Sequence, residues 1–177
     1  MAIQYFMRRD FMNKCKSFAL FLAILALLTF SQSAFASASP INWTINTDYG
    51  NGYCTSNFRE YTLTANSAQV LQYGPNTIMS CHVEANGVSY VEGTTQISFD
   101  WSYNVTSDSH YAHIWVYAEG VSDAFEVYWD SERSDSGSYT INLPNGYTGN
   151  VHFIADASSD AYSAGYSYAD ITNITFN

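Results

Sequence analysis

The sequence predicts an all-β protein, an antiparallel β-sandwich of jelly-roll type, and three observations carry that expectation. From Gly93 onward, apolar and polar residues alternate with a period of two. The alternating runs are short and break at clusters of Gly, Pro, Asn, Asp or Ser. Beyond residue 36 the chain is rich in Tyr, Ser, Thr, Asn and Gly and contains no lysine, a bias toward pleated strands and turns. Neither helical periodicity nor an internal repeat is present.

The elements follow in order. The N-terminal third offers short strands at residues 41–45, 61–64, 69–72 and 78–83, separated by the turn-rich stretches 48–52 (DYGNG) and 73–76 (YGPN). In residues 97–105 (ISFDWSYNV), Ile97, Phe99, Trp101, Tyr103 and Val105 share one face, while Ser98, Asp100, Ser102 and Asn104 share the other. In residues 125–130 (FEVYWD), Phe125, Val127 and Trp129 alternate with Glu126, Tyr128 and Asp130. Tyr139, Ile141 and Leu143 mark a strand ended by the turn Pro144-Asn145-Gly146. Val151, Phe153 and Ala155 alternate with His152, Ile154 and Asp156, and a last strand covers residues 168–176. Eight to ten such strands in about 140 residues form two packed layers around one core.

Residues 110–118 (HYAHIWVYA) depart from simple alternation because both faces are apolar or aromatic. Ala112, Ile114, Val116 and Ala118 suit a packed interior, whereas Tyr111, His113, Trp115 and Tyr117 point the other way. Four rings in register form a flat amphipathic shelf about 20 Å long. If neighbouring strands lie in the same sheet, Asp100, Ser102, Glu126, Tyr128 and Asp130 join that face. Two readings of the rings stay open: an exposed shelf, or a second layer of core covered by N-terminal strands or loops.

The first 36 residues read as a secretory signal peptide, leaving residues 37–177 as a single β-sandwich domain. Arg8, Arg9, Lys14 and Lys16 precede an uncharged apolar run, residues 18–30, too short to span a bilayer comfortably. Small residues at A-x-A spacing follow at Ala34, Ala36 and Ala38, so the mature chain begins near Ser37 or Ser39. A membrane anchor would need a stop-transfer flank, which is missing. The expected location is therefore outside the cytoplasm, extracellular or periplasmic, with no membrane attachment after processing. Removing the leader leaves Arg59 and Arg133 against fifteen carboxylates, a formal charge of −13. Such a field repels phosphate backbones and anionic lipid surfaces, which excludes nucleic acid and membrane surfaces as natural partners.

In an oxidising compartment Cys54 and Cys81 are expected to form a disulfide closing a loop of 28 residues. The chain-entropy model gives such a bridge about 3–4 kcal/mol. The alternative is two buried free thiols.

The second half of the chain, residues 88–177, resembles the carbohydrate-binding modules of the galactose-binding-like jelly-roll superfamily. The likeness rests on residues 95–101 (TQISFDW), 137–144 (GSYTINLP), 151–155 (VHFIA) and the ending 168–176 (YADITNITF). It implies a non-catalytic module with glycan or polysaccharide as partner and no required cofactor. Many such modules hold a structural calcium at an aspartate near the last strand. Here Thr172 precedes Asn173 where they carry that aspartate, and Asp170 lies two residues earlier. Asp170 is thus the candidate metal ligand, with Asp156 and Asp160 as further oxygen donors for a hard cation.

For sugar binding, Tyr111, Trp115 and Tyr117 supply planes for the apolar face of a pyranose, and Asp100, Glu126 and Asp130 accept from hydroxyls. Glu126, Asp130 and Glu132 share parity, but their spacing is not that of sandwich glycosidases. No G-x-S-x-G, P-loop or dinucleotide fingerprint occurs. His110 and His113 face opposite ways on a strand and cannot share a metal. Sequons lie at Asn42, Asn104 and Asn173. The competing expectation is a structural subunit of an extracellular matrix, surface layer or filament, self-associating through strand edges or calcium.

Overall fold

Two strands several times longer than the average strand organise the molecule. The computed structural model describes residues 36–49, 59–74, 80–159 and 164–177. The expected signal segment, Cys54 and Asp160 lie outside those residues. Nine strands are described: β1 (Ser37–Ala38), β2 (Asn42–Tyr49), β3 (Arg59–Thr64), β4 (Ser67–Tyr73), β5 (Cys81–Val105), β6 (His110–Ala118), β7 (Ala124–Trp129), β8 (Arg133–Ser159) and β9 (Tyr166–Phe176). All pairings are antiparallel. The hydrogen-bonded path runs β3-β4-β9-β5-β8-β6-β7, with β1 and β2 added on β5.

That single network folds over itself because β5 and β8 turn a corner together. The β5/β8 register slips between Glu92 and Thr94 and again between Thr94 and Gln96. Gly93 sits in the slip at φ 69°, and Gly146 lies on the β8 side of the same corner at φ 72°. Left-handed backbone at both positions favours glycine, and a bulge bends the strand that carries it. Before the corner, β5 pairs with β2 and with residues 147–159 of β8, which pair in turn with β6. After it, β5 pairs with β9 and with residues 133–142 of β8. The outcome is an all-β antiparallel sandwich. One layer is β2-β5-β8-β6-β7 and the other is β3-β4-β9-β5-β8.

The two layers meet through rings on strands that share no hydrogen bonds. Phe125 of β7 packs on Phe99 and Trp101 of β5, with centroids 5.4 and 5.2 Å apart. Trp129 lies against Tyr103 at 6.5 Å. Around them Val83, Val91, Ile97, Val105, Ile114, Val116, Ile141, Val151, Phe153 and Ile171 are fully buried. Burying each such side chain contributes about 1.5–3 kcal/mol, so this interior dominates stability.

Three sequence expectations are corrected. Residues 84–91, for which no strand was expected, are strand, so β5 joins residues 81–83 of the expected element 78–83 to the element 97–105, residues 78 and 79 lying outside the described residues. Its inward residues Ala85, Gly87 and Ser89 are small, which hides the alternation. Their space is taken by Trp43, which packs 6.2 Å from Phe153. Likewise Pro144-Asn145-Gly146 does not end a strand but bends β8 at the corner. Finally, the described N-terminal strands do not lie over the β6 rings: β2 joins the edge of the layer beside β5, and β3 and β4 join the opposite layer.

Candidate ligand-binding face

The outward face of the β2-β5-β8-β6-β7 layer collects most of the candidate residues. Alternation along β6 buries His110, Ala112, Ile114, Val116 and Ala118 and leaves Tyr111, His113, Trp115 and Tyr117 half-buried on the outside. Register then fixes their neighbours. His113 sits between Asp156 of β8 and Tyr128 of β7, Trp115 between Ile154 and Glu126, and Tyr117 between His152 and Ala124. Tyr111 lies opposite Ser158. On the far side of β8, His82, Glu84 and Asn86 of β5 oppose Ser158, Asp156 and Ile154.

The rings are locked to one another. Trp115 and Tyr117 stack at 4.3 Å, and Tyr117 stacks on His152 at 4.6 Å with planes 7° apart. Tyr128, 52% exposed, closes on Tyr111 at 5.4 Å and meets His113 edge-on at 5.8 Å. Carboxylates are pinned beside them. His113 Nε2 lies 3.1 Å from Glu126 Oε1, and His152 Nε2 lies 2.9 Å from Glu119 Oε1. Asn150 Nδ2 also donates to Glu119, at 3.3 Å.

These contacts set the protonation states. Hydrogen bonds from His152 and Asn150 hold Glu119 below the ordinary carboxylate range. Burial pushes the Tyr111 hydroxyl up, and the charge of Asp156 adds to it. Burial, then Asp130 and Asp156, push Tyr128 up as well. Near neutral pH the face therefore offers the neutral phenols of Tyr111 and Tyr128 as donors and the ionised Glu119 as an acceptor, with flat apolar surface between them. That combination matches a polyhydroxyl ligand better than an anionic one.

Of the sequence candidates, Tyr111, His113, Trp115, Tyr117, Glu126 and Tyr128 come together here. Asp130 follows the end of β7, exposed, where its charge reaches Tyr128. Asp100 does not belong. Because β5 changes layers at its corner, Asp100 and Ser102 project from the other layer. There Asp100 accepts from Asn173 Nδ2 at 2.7 Å and from Ser138. Residues that sequence reasoning did not place on the face are His82, Glu84, Asn86, Glu119, Asn150 and His152. The period-two run His82, Glu84, Asn86 was its available signal, masked by the small residues between.

Of the acidic residues expected around Asp170, Asp160 lies outside the described residues and Asp156 lies apart from Asp170. Asp156 lies on the face just described, whereas Asp170 lies on the opposite layer beside Gln69 and Ser102, which donate to its Oδ2 at 3.0 and 3.2 Å. Burial pushes the Asp170 carboxyl up despite those bonds. Cys81 is buried at the start of β5; its expected partner Cys54 is outside the described residues. An open cleft of about 310 Å³, lined by Asn104, Thr106, Glu132, Arg133 and Ser134 among others, lies where β5 ends and β8 begins.

No family model and no curated protein matches the sequence. Among solved structures, the chain is similar to a family 61 carbohydrate-binding module in complex with β-1,4-galactotriose. The TM-score is 0.43 at 11% identity, covering 76% of this chain and 87% of that one. It is also similar to the enzymatically active domain of tailspike protein 4 of bacteriophage CBA120 (TM-score 0.40, 11% identity, 77% of this chain), of which it spans only 19%. A family 16 carbohydrate-binding module aligns with a TM-score of 0.32 at 13% identity, over 60% of this chain and 84% of that one. At such scores the likeness carries no functional weight, and the chemistry of the face has to stand by itself.

Proposed function

We propose that this is an exported, non-catalytic binding module that takes a glycan or similar polyhydroxyl chain across the row Tyr111, His113, Trp115 and Tyr117. The observation that carries the reading is that all four rings of β6 lie on an outward face, half-buried, with Glu126 and Glu119 pinned beside them. Sugar C–H faces pack on aromatic surface while carboxylates accept hydroxyl protons. Mutual stacking fixes the rings before a ligand arrives, so little side-chain entropy remains to be lost on binding. The basic, apolar and small-residue segments of residues 1–36 supply the export signal.

Carboxylate spacing supports a binding rather than a hydrolytic role. Glu126 and Asp130 are four residues apart, about 13 Å along an extended chain. Glycoside hydrolysis needs its two carboxyl groups about 5–9.5 Å apart across one sugar. Glu84 and Asp156 are closer, but Asp156 is only 7% exposed and lies against His82.

Substituting Trp115→Ala and measuring retention on a glycan array and on insoluble polysaccharides tests the proposal. Loss of retention, with near-ultraviolet circular dichroism outside the Trp115 contribution unchanged, is the expected result. Equal retention of variant and parent would sink it. A second reading, strand-edge self-association, draws on residues 133–142 of β8, which pair only with β5 among the described pairings, although Asp123 and Asp135 already accept from the Asn142 and Ser136 backbone N–H groups there. Light scattering that shows ordered polymers of the parent would favour that reading.

A further inference from the structure

We propose that His82, Glu84 and Asp156 form a binding site for a divalent transition metal of the zinc class. His82 and Glu84 are two residues apart on β5 and share its outward face. Asp156 of β8 is the direct cross-strand partner of Glu84. One donor atom from each residue lies within 4.8 Å of the other two. A tetrahedral ion with bonds of about 2.1 Å spaces its donors about 3.4 Å apart, so small side-chain rotations complete the set.

Asp156 provides the second, independent observation. The residue is 7% exposed, and its buried Oδ1 has no hydrogen-bond partner. That oxygen lies 2.7 Å from His82 Nε2, an ion-pair contact when the imidazole is protonated, and the two atoms have to part by about 0.7 Å to ligate one ion. A buried carboxylate oxygen is costly unless a cation or a hydrogen bond compensates it. Glu84 is oriented from outside the set: Asn46 Nδ2 donates to its Oε1 at 3.2 Å, and Asn86 Nδ2 donates to the same oxygen. Such outer partners commonly fix metal-ligating carboxylates. The Tyr111 hydroxyl, next to Asp156 and Ser158, completes the surround.

The donor set selects the class of ion. One imidazole nitrogen and two carboxylate oxygens suit zinc, whereas calcium takes six to eight oxygens. Three protein donors leave at least one coordination position open. Because Asp156 also pairs with His113, that position borders the aromatic row. The site stands whether or not the row takes a glycan. A ligating imidazole must be neutral, so acid expels the ion.

Calorimetric titration of chelator-stripped, tag-free protein with ZnCl₂ near pH 7.5, and separately with CaCl₂, tests the site. One Zn²⁺ per chain is expected, together with a rise in melting temperature. His82→Gln and Glu84→Gln should each weaken binding by at least about tenfold. Both side chains are partly exposed, so these variants avoid the buried Asp156. A readout free of substitution is the imidazole NMR signal of His82, which should shift on Zn²⁺ addition while that of buried His110 stays. No Zn²⁺ binding, equal binding by parent and variants, an unmoved His82 signal, or preference for Ca²⁺ overturns the proposal.

Discussion

Replacing Gly87 by alanine probes the packing that lets small residues line the inner face of β5. Gly87 lies opposite Trp43 of β2 and Phe153 of β8. An added Cβ would fall 2.5 and 2.6 Å from two carbons of the Trp43 ring and 2.8 Å from Ile41 Cγ2. Carbon atoms pack best at about 3.5–4.0 Å, so the indole has to retreat by about 1 Å. It is held in place: Nε1 donates to Thr64 O at 2.8 Å, and the ring leans on Phe153. Overpacking of this kind costs about 1–3 kcal/mol, and straining the indole hydrogen bond adds up to about 1 kcal/mol. The lower unfolded-state entropy of alanine offsets about 0.5–1 kcal/mol. The net expected loss is about 1–3 kcal/mol. For a domain of this size that lowers the melting temperature by roughly 4–10 °C. Calorimetry on the purified protein measures it. Trp43→Ala removes the two closest contacts and leaves the one to Ile41 Cγ2, so Gly87→Ala should cost less in that background. A Gly87→Ala variant as stable as the parent, or one whose loss is undiminished without Trp43, would refute the reasoning.

Two further outcomes concern the opposite layer. Asn173 adopts φ 53° and donates to Asp100. Asn173→Gly keeps the backbone and loses the bond, whereas Asn173→Ala loses both. The glycine variant should therefore be more stable than the alanine variant by about 1 kcal/mol in urea denaturation; coincident transitions would count against this. Asp170 has its carboxyl raised by burial. The folded state then holds the proton more tightly than the unfolded chain, so this group favours folding at low pH, and that contribution is lost as pH rises through the folded-state value. Asp170→Asn should raise the melting temperature at pH 7, with the gain fading toward pH 4. A variant less stable than the parent at pH 7 would contradict the burial argument.

Much of the fold was legible because strand alternation is a local property. Wherever one face of a strand was large and apolar, as at Ile97, Phe99 and Tyr103 or at Ile114 and Val116, the sequence marked both the strand and its inward side. The signal failed where inward residues were small. Residues 84–91 pass as a connection until the bulky partners Trp43 and Phe153 appear, and those lie 44 and 66 residues from Gly87 in the chain. Pro144-Asn145-Gly146 has the composition of a chain-reversing turn, yet pairing on both sides with one continuous β5 makes it a corner.

By itself the sequence determined an acidic all-β sandwich and the row Tyr111, His113, Trp115 and Tyr117, since period-two geometry puts alternate residues on one side of any strand. Which other residues share that side was decided only by tertiary structure. Strand order and register bring His82, Glu84, Asp156, His152 and Glu119 alongside the rings. The corner in β5 carries Asp100 into the opposite layer. Those pairings depend on contacts between distant segments, and no pattern confined to one strand encodes them.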